Sequence, residues 1–127
     1  MDICIAHSEG GLITRRAIEG MTEEQQQQMR DNYFVCALGS VKPIPKGYGK
    51  RVENVYSRQD FASLPFAIPH MVQSGCEAKF VSCQSSWQQK NMGCIDHAAL
   101  GATYQKALEK TIKDFRRDYS FYDEKNR

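Results

Sequence analysis

A short apolar run near the start of the chain constrains the fold most, because it ends abruptly in a turn. Residues 3–6 read ICIA, and the sequence His7-Ser8-Glu9-Gly10-Gly11 follows at once. The β-branched residues of the run favour a strand that is buried on both faces. After the glycines, apolar residues recur at helical spacing as far as Gly20. The pattern predicts a buried strand that turns directly into a helix.

Three further strands and two further helices are predicted along the chain. Thr22 with Gln25 three positions later matches a capping box and predicts the start of a second helix. One long helical pattern runs over 97–117, with Leu100, Tyr104, Leu108, Ile112 and Phe115 on one stripe that we expect to face the core. The remaining strands are expected at 33–39, 51–57 and 77–83, with loops at 58–66 and 84–97. Strands that alternate with helices predict an α/β fold with about four mostly parallel strands and flanking helices.

Length, charge and cysteine content exclude several classes of protein. The chain has 127 residues, which favours one domain, expected at 1–118, with a polar tail at 119–127 that frays. With 17 basic and 15 acidic residues, nothing favours nucleic acid as a partner. Five cysteines at irregular spacing indicate reduced thiols and not a disulfide framework. No basic leader or membrane-length apolar run is visible, so we expect a soluble cytoplasmic protein, with signal-independent export as the alternative.

The turn at Ser8 has the spacing of a nucleophile elbow. In this motif a strand ends in small-x-Ser-x-Gly and turns sharply into a helix, which exposes the serine hydroxyl above the sheet. Ala6 replaces the more usual glycine at the first small position. Ala6 and Gly10 occupy the two positions that we expect to require small residues. The backbone N–H of Glu9, at the helix N-terminus, would then face a developing oxyanion. The alternative is an ordinary helix N-cap serine.

A serine nucleophile requires a base and an orienting acid. Of the three histidines, His7 is expected to point away from Ser8, and His70 is expected in a loop. His97, where a loop meets the long helix, is the best base, and Asp60, in the loop after the third strand, is the best acid. Asp96 is the competing acid; Asp60 as a turn aspartate and His97 as a helix-start histidine remain alternatives. The order Ser8, Asp60, His97 is the order that the elbow motif predicts.

These three segments together resemble the α/β-hydrolase superfamily. ICIAHSEGGLITRRAI is similar to the nucleophile strand, elbow and helix of its lipases and esterases, VENVYSRQDFAS to the acid turn, and MGCIDHAALGATY to the histidine loop. The likeness covers about residues 2–112 and extends to a hydrolase-like family of chlamydial proteins. The resemblance implies that Ser8, Asp60 and His97 hydrolyse a small-molecule or lipid ester, or another acyl substrate, without a cofactor or a catalytic metal.

The same resemblance places about four strands and a second oxyanion donor before the nucleophile strand. The chain would therefore correspond to the C-terminal half of such a domain, with an exposed apolar edge strand that favours self-association or a complementing N-terminal half. The alternative function is a non-catalytic remnant or interaction module. A zinc site formed by Cys76, Cys83, Cys94 and His97 is a further alternative, because Cys94 and His97 have the spacing of a ligand pair. Trp87 could line a substrate pocket or act as a packing anchor.

Overall fold

Short apolar runs build a parallel sheet of four strands. The computed structural model describes residues 1–74, 76–85, 96–97 and 101–125. The strands lie in the sheet in chain order, and they are β1 (Asp2–His7), β2 (Tyr33–Leu38), β3 (Arg51–Ser57) and β4 (Lys79–Val81). The helices are α1 (Glu9–Glu19), α2 (Glu23–Asn32), α3 (Leu64–Ser74) and α4 (Ala102–Lys125), with a short 3-10 helix at Lys46–Tyr48. The predicted α/β fold class is confirmed.

The parallel register brings the carboxyl ends of the strands to one edge of the sheet. His7 lies opposite Leu38, and Ser57 lies opposite Val81. The backbone ladder continues one residue past the first strand, since the Ser8 N–H donates to the Leu38 carbonyl at 3.0 Å. Open parallel sheets bind ligands outside this edge. The turn that follows β1 and the turn that follows β3 both begin there.

The central strand β2 is buried on both faces, and helices cover each side. On one face Ile18 of α1 and Met29 of α2 pack against Val35 and Ala37. The opposite face of the sheet packs against α4, and that core contains Phe34, Cys36, Leu38, Val55 and Tyr104. Each buried large apolar side chain contributes about 1.5–3 kcal/mol relative to an exposed one. The core therefore holds β2, β3 and α4 in place around the candidate site.

Several predicted element boundaries need correction. The Thr22 capping box is present, with the Gln25 N–H donating to the Thr22 hydroxyl at 3.3 Å. Strand β4 covers three residues instead of the predicted seven. Residue His97 precedes α4 instead of beginning it, and α4 continues to Lys125, so the helix includes most of the predicted polar tail. Trp87, Cys94 and Leu100 lie outside the described residues.

The segment that contains His70 is helical, so its prediction as a loop is wrong. Pro65 lies in the first turn of α3, where a missing N–H costs little. Pro69 lies inside the helix and removes one hydrogen bond. The buried residues Leu64 and Ala67 pack against Tyr56 of β3. This tertiary packing outweighs the unfavourable helix propensity of proline.

Candidate active site

Ser8 occupies a strained junction between β1 and α1. Its backbone has φ 55° and ψ −123°, and among the described residues it is the one non-glycine residue with positive φ. Backbone conformations of this kind cost about 1–3 kcal/mol and concentrate at functional sites. Ser8 stands at the N-cap position of α1, but its side chain makes no capping hydrogen bond. The hydroxyl is therefore directed elsewhere, contrary to the N-cap alternative.

The glycines after Ser8 differ in how much space surrounds them. A Cβ at Gly10 would lie 3.8 Å from the Ala6 Cβ, which is ordinary van der Waals contact. A Cβ at Gly11 would overlap the Ser40 hydroxyl and lie 2.5 Å from the Ser40 Cβ. The structure therefore leaves room for a Cβ at Gly10, where the sequence pattern predicts that only a small residue fits. The close approach occurs one residue later, where α1 packs against the segment after β2.

His97 joins Ser8 to Asp60 through the two nitrogens of its ring. Nε2 lies 2.8 Å from the Ser8 Oγ, and Nδ1 lies 2.8 and 2.9 Å from the two carboxylate oxygens of Asp60. A carboxylate accepts, so Nδ1 carries the proton and Nε2 is left to accept from the serine hydroxyl. These three residues, 89 positions apart at the extremes, meet in one chain of hydrogen bonds.

The Asp60 carboxylate is fully buried and accepts from three donors among the described residues. They are the His97 ring, the Tyr104 hydroxyl and the Ser63 backbone N–H, the last at 3.1 Å. Burial raises the pKa of Asp60, but the hydrogen bonds from His97, Tyr104 and Ser63 outweigh it and hold the pKa below its usual range. The carboxylate is therefore ionised at neutral pH and able to stabilise a positive charge on the His97 ring.

Tyr104 supports this carboxylate from the buried face of α4. Its hydroxyl donates to Asp60 Oδ2 and accepts from the Ser57 N–H at 3.1 Å. Burial, followed by the bond to Asp60, raises the pKa of Tyr104 well above its usual range, so the phenol stays a donor. Gly39, with φ 57°, lies against both groups, because a Cβ there would be 2.6 Å from Asp60 Oδ2.

Asp96 is turned away from the His97 ring. Its carboxylate accepts from the Ser57 and Ser85 hydroxyls, the latter at 2.6 Å, and its N–H donates to the Gln59 carbonyl at 3.1 Å. Burial raises the pKa of Asp96, but the hydrogen bonds, first among them those from Ser57 and Ser85, lower it below its usual range. Asp60, and not Asp96, is thus the carboxylate that contacts the imidazole.

The other two histidines do not bond to the Ser8 hydroxyl in the described hydrogen-bond network. The His7 Nε2–H donates to the His97 carbonyl at 2.7 Å, and the two rings lie 4.9 Å apart. Burial lowers the pKa of His7, which favours its neutral form. His70 lies on α3. His7 therefore braces the His97 backbone, a contact that the sequence does not predict.

Glu9 is the first residue of α1, so its N–H belongs to a first turn whose amides lack carbonyl partners within the helix. Such amides favour an anion, and the oxyanion contact of the Glu9 N–H stays a prediction. Among the described residues, no group of three or more His, Cys, Asp or Glu side chains is arranged to hold a metal ion. Cys94 of the zinc alternative lies outside the described residues.

Sequence reasoning missed Tyr104, Gly39 and Ser63 as parts of the site. Tyr104 was predicted as a core residue, and it is fully buried. A buried tyrosine requires a partner for its hydroxyl, so a Tyr within an otherwise apolar stripe is the signal that could have found it. Nothing local marks Gly39 or Ser63, because their roles depend on where Asp60 lies in three dimensions.

Comparison of the chain with known proteins found no significant similarity. No family model matches it, and no curated protein or solved structure is significantly similar to it. Within the described part of the chain, no helix combines the length and apolarity required to span a membrane. The site's own geometry therefore carries the functional argument.

Proposed function

We propose that this chain is a serine-hydrolase-like domain of α/β-hydrolase type that cleaves an ester or a related acyl bond. The observation that carries the proposal is the chain of hydrogen bonds from a strained serine to a histidine to a buried carboxylate. Nε2 of His97 lies 2.8 Å from Ser8 Oγ, and Nδ1 lies 2.8 Å from Asp60. A nucleophile, a base and an orienting group in contact are the arrangement that acyl transfer requires.

Ser8 acts as the nucleophile and His97 as the base in this proposal. The Ser8 oxygen attacks the acyl carbonyl while its proton passes to His97 Nε2, and the Asp60 carboxylate stabilises the resulting imidazolium. The Glu9 N–H donates to the oxyanion. His97 then protonates the leaving alcohol, which departs and leaves an acyl-serine. Water, deprotonated by His97, attacks the acyl-serine and releases the acid, and the proton returns to Ser8.

The proposed substrate class is a small-molecule or lipid ester. The resemblance of the three motif segments to lipases and esterases supports it, and so does the position of Ser8 at the carboxyl edge of the sheet, where parallel sheets bind ligands. Exposed apolar side chains lie in the turn next to Asp60 and on α3, including Phe61, which is 58% exposed, and Phe66. Such side chains suit an apolar acyl chain better than a charged substrate.

Labelling with a fluorophosphonate probe tests this proposal. The probe is expected to modify Ser8 of the folded protein, and Ser8→Ala is expected to remove the label. His97→Ala is expected to slow labelling about 100-fold or more, because general-base catalysis contributes about that factor. Modification at another residue, or labelling that persists in Ser8→Ala, contradicts the assignment.

Two matched variants control for general effects of substitution. Ser82→Ala removes an exposed serine after β4, and His70→Ala removes a histidine from α3. Both are expected to label at the wild-type rate. Equal slowing in His70→Ala and His97→Ala would contradict a specific role for His97.

An interaction module is the second candidate function. It is favoured by β1, whose outer side has no strand partner among the described residues and whose Ile5 is 40% exposed. Apolar edge strands of this kind pair with other chains. Sedimentation should then show self-association that Ile5→Lys weakens, with Arg16→Lys on exposed α1 as the control. A monomer at high concentration that turns over an ester contradicts this candidate.

A further inference from the structure

The Asp96 carboxylate is buried next to the candidate active site, yet acyl transfer as proposed above does not use it. Asp96 is 1% exposed. Its two oxygens bind two different serines, Ser57 at the end of β3 and Ser85 after β4. A buried carboxylate is costly unless hydrogen bonds compensate it. Asp96 thus connects the ends of two adjacent strands with the residue that precedes His97.

The turn at residues 57–60 binds the Asp96 backbone and also contains Asp60. The Asp96 N–H donates to the Gln59 carbonyl at 3.1 Å, and the Gln59 N–H donates to the Ser57 hydroxyl at 3.2 Å. The Asp60 N–H donates to the Ser57 carbonyl at 3.0 Å. Residues 57–60 therefore fix both the acid and the backbone of the base. The distance between Asp60 and His97 is set within this one turn.

The backbone of residues 96 and 97 is held from both sides. The Asp96 amide is bound to Gln59, and the His97 carbonyl accepts from the His7 ring at 2.7 Å. With the backbone held, the His97 ring reaches Ser8 and Asp60 in hydrogen-bonding geometry. Displacing a catalytic group by about 1 Å costs roughly a hundredfold in rate.

We propose that Asp96 is a positioning residue: by binding Ser57 and Ser85, it fixes the backbone from which His97 bonds to Ser8 and Asp60. The proposal rests on the proposed function for its catalytic consequence. Its structural consequence, the geometry of the His97 ring, is measurable without any activity. Asp96 itself touches neither the nucleophile nor the base ring.

The first measurement is the rate at which a fluorophosphonate labels Ser8. Asp96→Ala is expected to slow labelling about 100-fold. Asp96→Asn keeps one acceptor oxygen, and a serine hydroxyl can rotate to accept from its amide, so this variant is expected to recover the rate to within about 10-fold of wild type. Asn54→Ala is the matched control, because it removes three hydrogen bonds from a buried side chain that does not bond to residues 96 and 97. The control is expected to label at the wild-type rate.

The second measurement is the low-field proton NMR signal of His97 Nδ1–H bound to Asp60. The signal is expected in the wild type and in Ser8→Ala and Asn54→Ala, and it is expected to disappear or broaden in Asp96→Ala while the backbone spectrum stays folded. If Asp96→Ala does not fold, Ser85→Ala decides, since it removes one of the two serine bonds to Asp96 and is expected to weaken the signal and slow labelling.

The two proposals fail in different ways. Absence of Ser8 labelling in the wild type, with the His97 signal present and sensitive to Asp96→Ala, contradicts the hydrolase proposal and supports the positioning role. A folded Asp96→Ala variant that labels within about threefold of wild type and keeps the signal overturns the positioning role. The same outcome in Ser85→Ala overturns it if Asp96→Ala is unfolded.

Discussion

At the scale of single residues, Gly39 is the position near the candidate site that least tolerates an added side chain. Its φ of 57° is strained for any residue with a Cβ, and a Cβ would lie 2.6 Å from Asp60 Oδ2 and 2.8 Å from the Tyr104 hydroxyl. Gly39→Ala is therefore expected to lower the free energy of unfolding by about 1–3 kcal/mol and to slow probe labelling of Ser8. Denaturant unfolding and labelling rates measure the two effects.

Gly47 supplies the control for this substitution. It lies in the 3-10 helix, its φ is not positive, and a Cβ there would have no atom within 4 Å. Gly47→Ala is expected to leave both labelling and stability close to wild type. Equal losses in the two variants would show that the space around Asp60 does not limit substitution at Gly39.

The backbone of Ser8 gives a second prediction at this scale. Its φ of 55° and ψ of −123° suit glycine and strain every other residue. Ser8→Gly is therefore expected to be more stable than Ser8→Ala by about 1 kcal/mol, although neither variant keeps the hydroxyl. Thermal and denaturant unfolding of the two variants measure the difference.

Ser82 is the reference position for this comparison. Its φ is not positive, so glycine has no strain to relieve there. Ser82→Gly is expected to be equal to or less stable than Ser82→Ala, because glycine loses more backbone entropy on folding. The same order of stability at both positions would argue against strain at Ser8.

The sequence predicts which residues meet at the candidate site better than it predicts their other contacts. Ser8, Asp60 and His97 are identifiable because the turn chemistry around them is local and their order follows a known motif. The partners of Asp96 are not identifiable, because Ser57 and Ser85 reach it only after β3 and β4 pair. Asp96 and His97 are adjacent in the sequence but bind different groups, because the tertiary structure places different partners beside each side chain.

At the scale of elements, α1 lies very close to the segment after β2 at Gly11. A Cβ at Gly11 would lie 2.5 Å from the Ser40 Cβ, whereas a Cβ at Gly10 would make ordinary contact with Ala6. Gly11→Ala is expected to destabilise the fold by about 1–3 kcal/mol, since α1 or the segment after β2 must move. Gly10→Ala is expected to be neutral or to stabilise by up to about 1 kcal/mol through helix propensity.

The two glycines are adjacent in one helical turn and control for each other. Unfolding free energies of the two variants give the test, and probe labelling shows whether Ser8 moves with the helix. If Gly10→Ala is the more damaging substitution, the small-residue requirement belongs to the elbow, as the sequence pattern predicts, and not to the packing of α1.

Strands β1, β2 and β3 are the best-predicted elements, and α3 is the worst. The runs that form β1 and β2 are short and apolar, and the run that forms β3 alternates between polar and apolar residues, so the periodicity of each run predicts a strand. In α3, two prolines oppose a helix locally, while Leu64 and Ala67 gain burial against Tyr56 only once β3 is in place. Local helix propensity does not include the stabilisation that α3 gains by packing against a strand distant in the sequence.

At the scale of the whole molecule, acid should destabilise the fold through its buried carboxylates. The pKa of Asp60 and that of Asp96 are held below the usual aspartate range by hydrogen bonds that overcome burial. As the pH falls below about 4, the unfolded chain binds protons that the folded chain still excludes. The free energy of unfolding therefore falls with pH in this range, and the stabilisation is fully lost below the folded pKa values.

Asp60→Asn isolates one part of this acid dependence. The variant is expected to be less stable than wild type at neutral pH, and its stability should fall less steeply below about pH 4, because one depressed carboxyl is gone. Asp31→Asn, at an exposed position on α2, is expected to keep the wild-type slope. Unfolding measured from pH 7 down to the acid transition provides both slopes. Equal slopes in wild type and Asp60→Asn would mean that folding does not lower the pKa of Asp60, contrary to a carboxylate that is held ionised by hydrogen bonds from His97 and Tyr104.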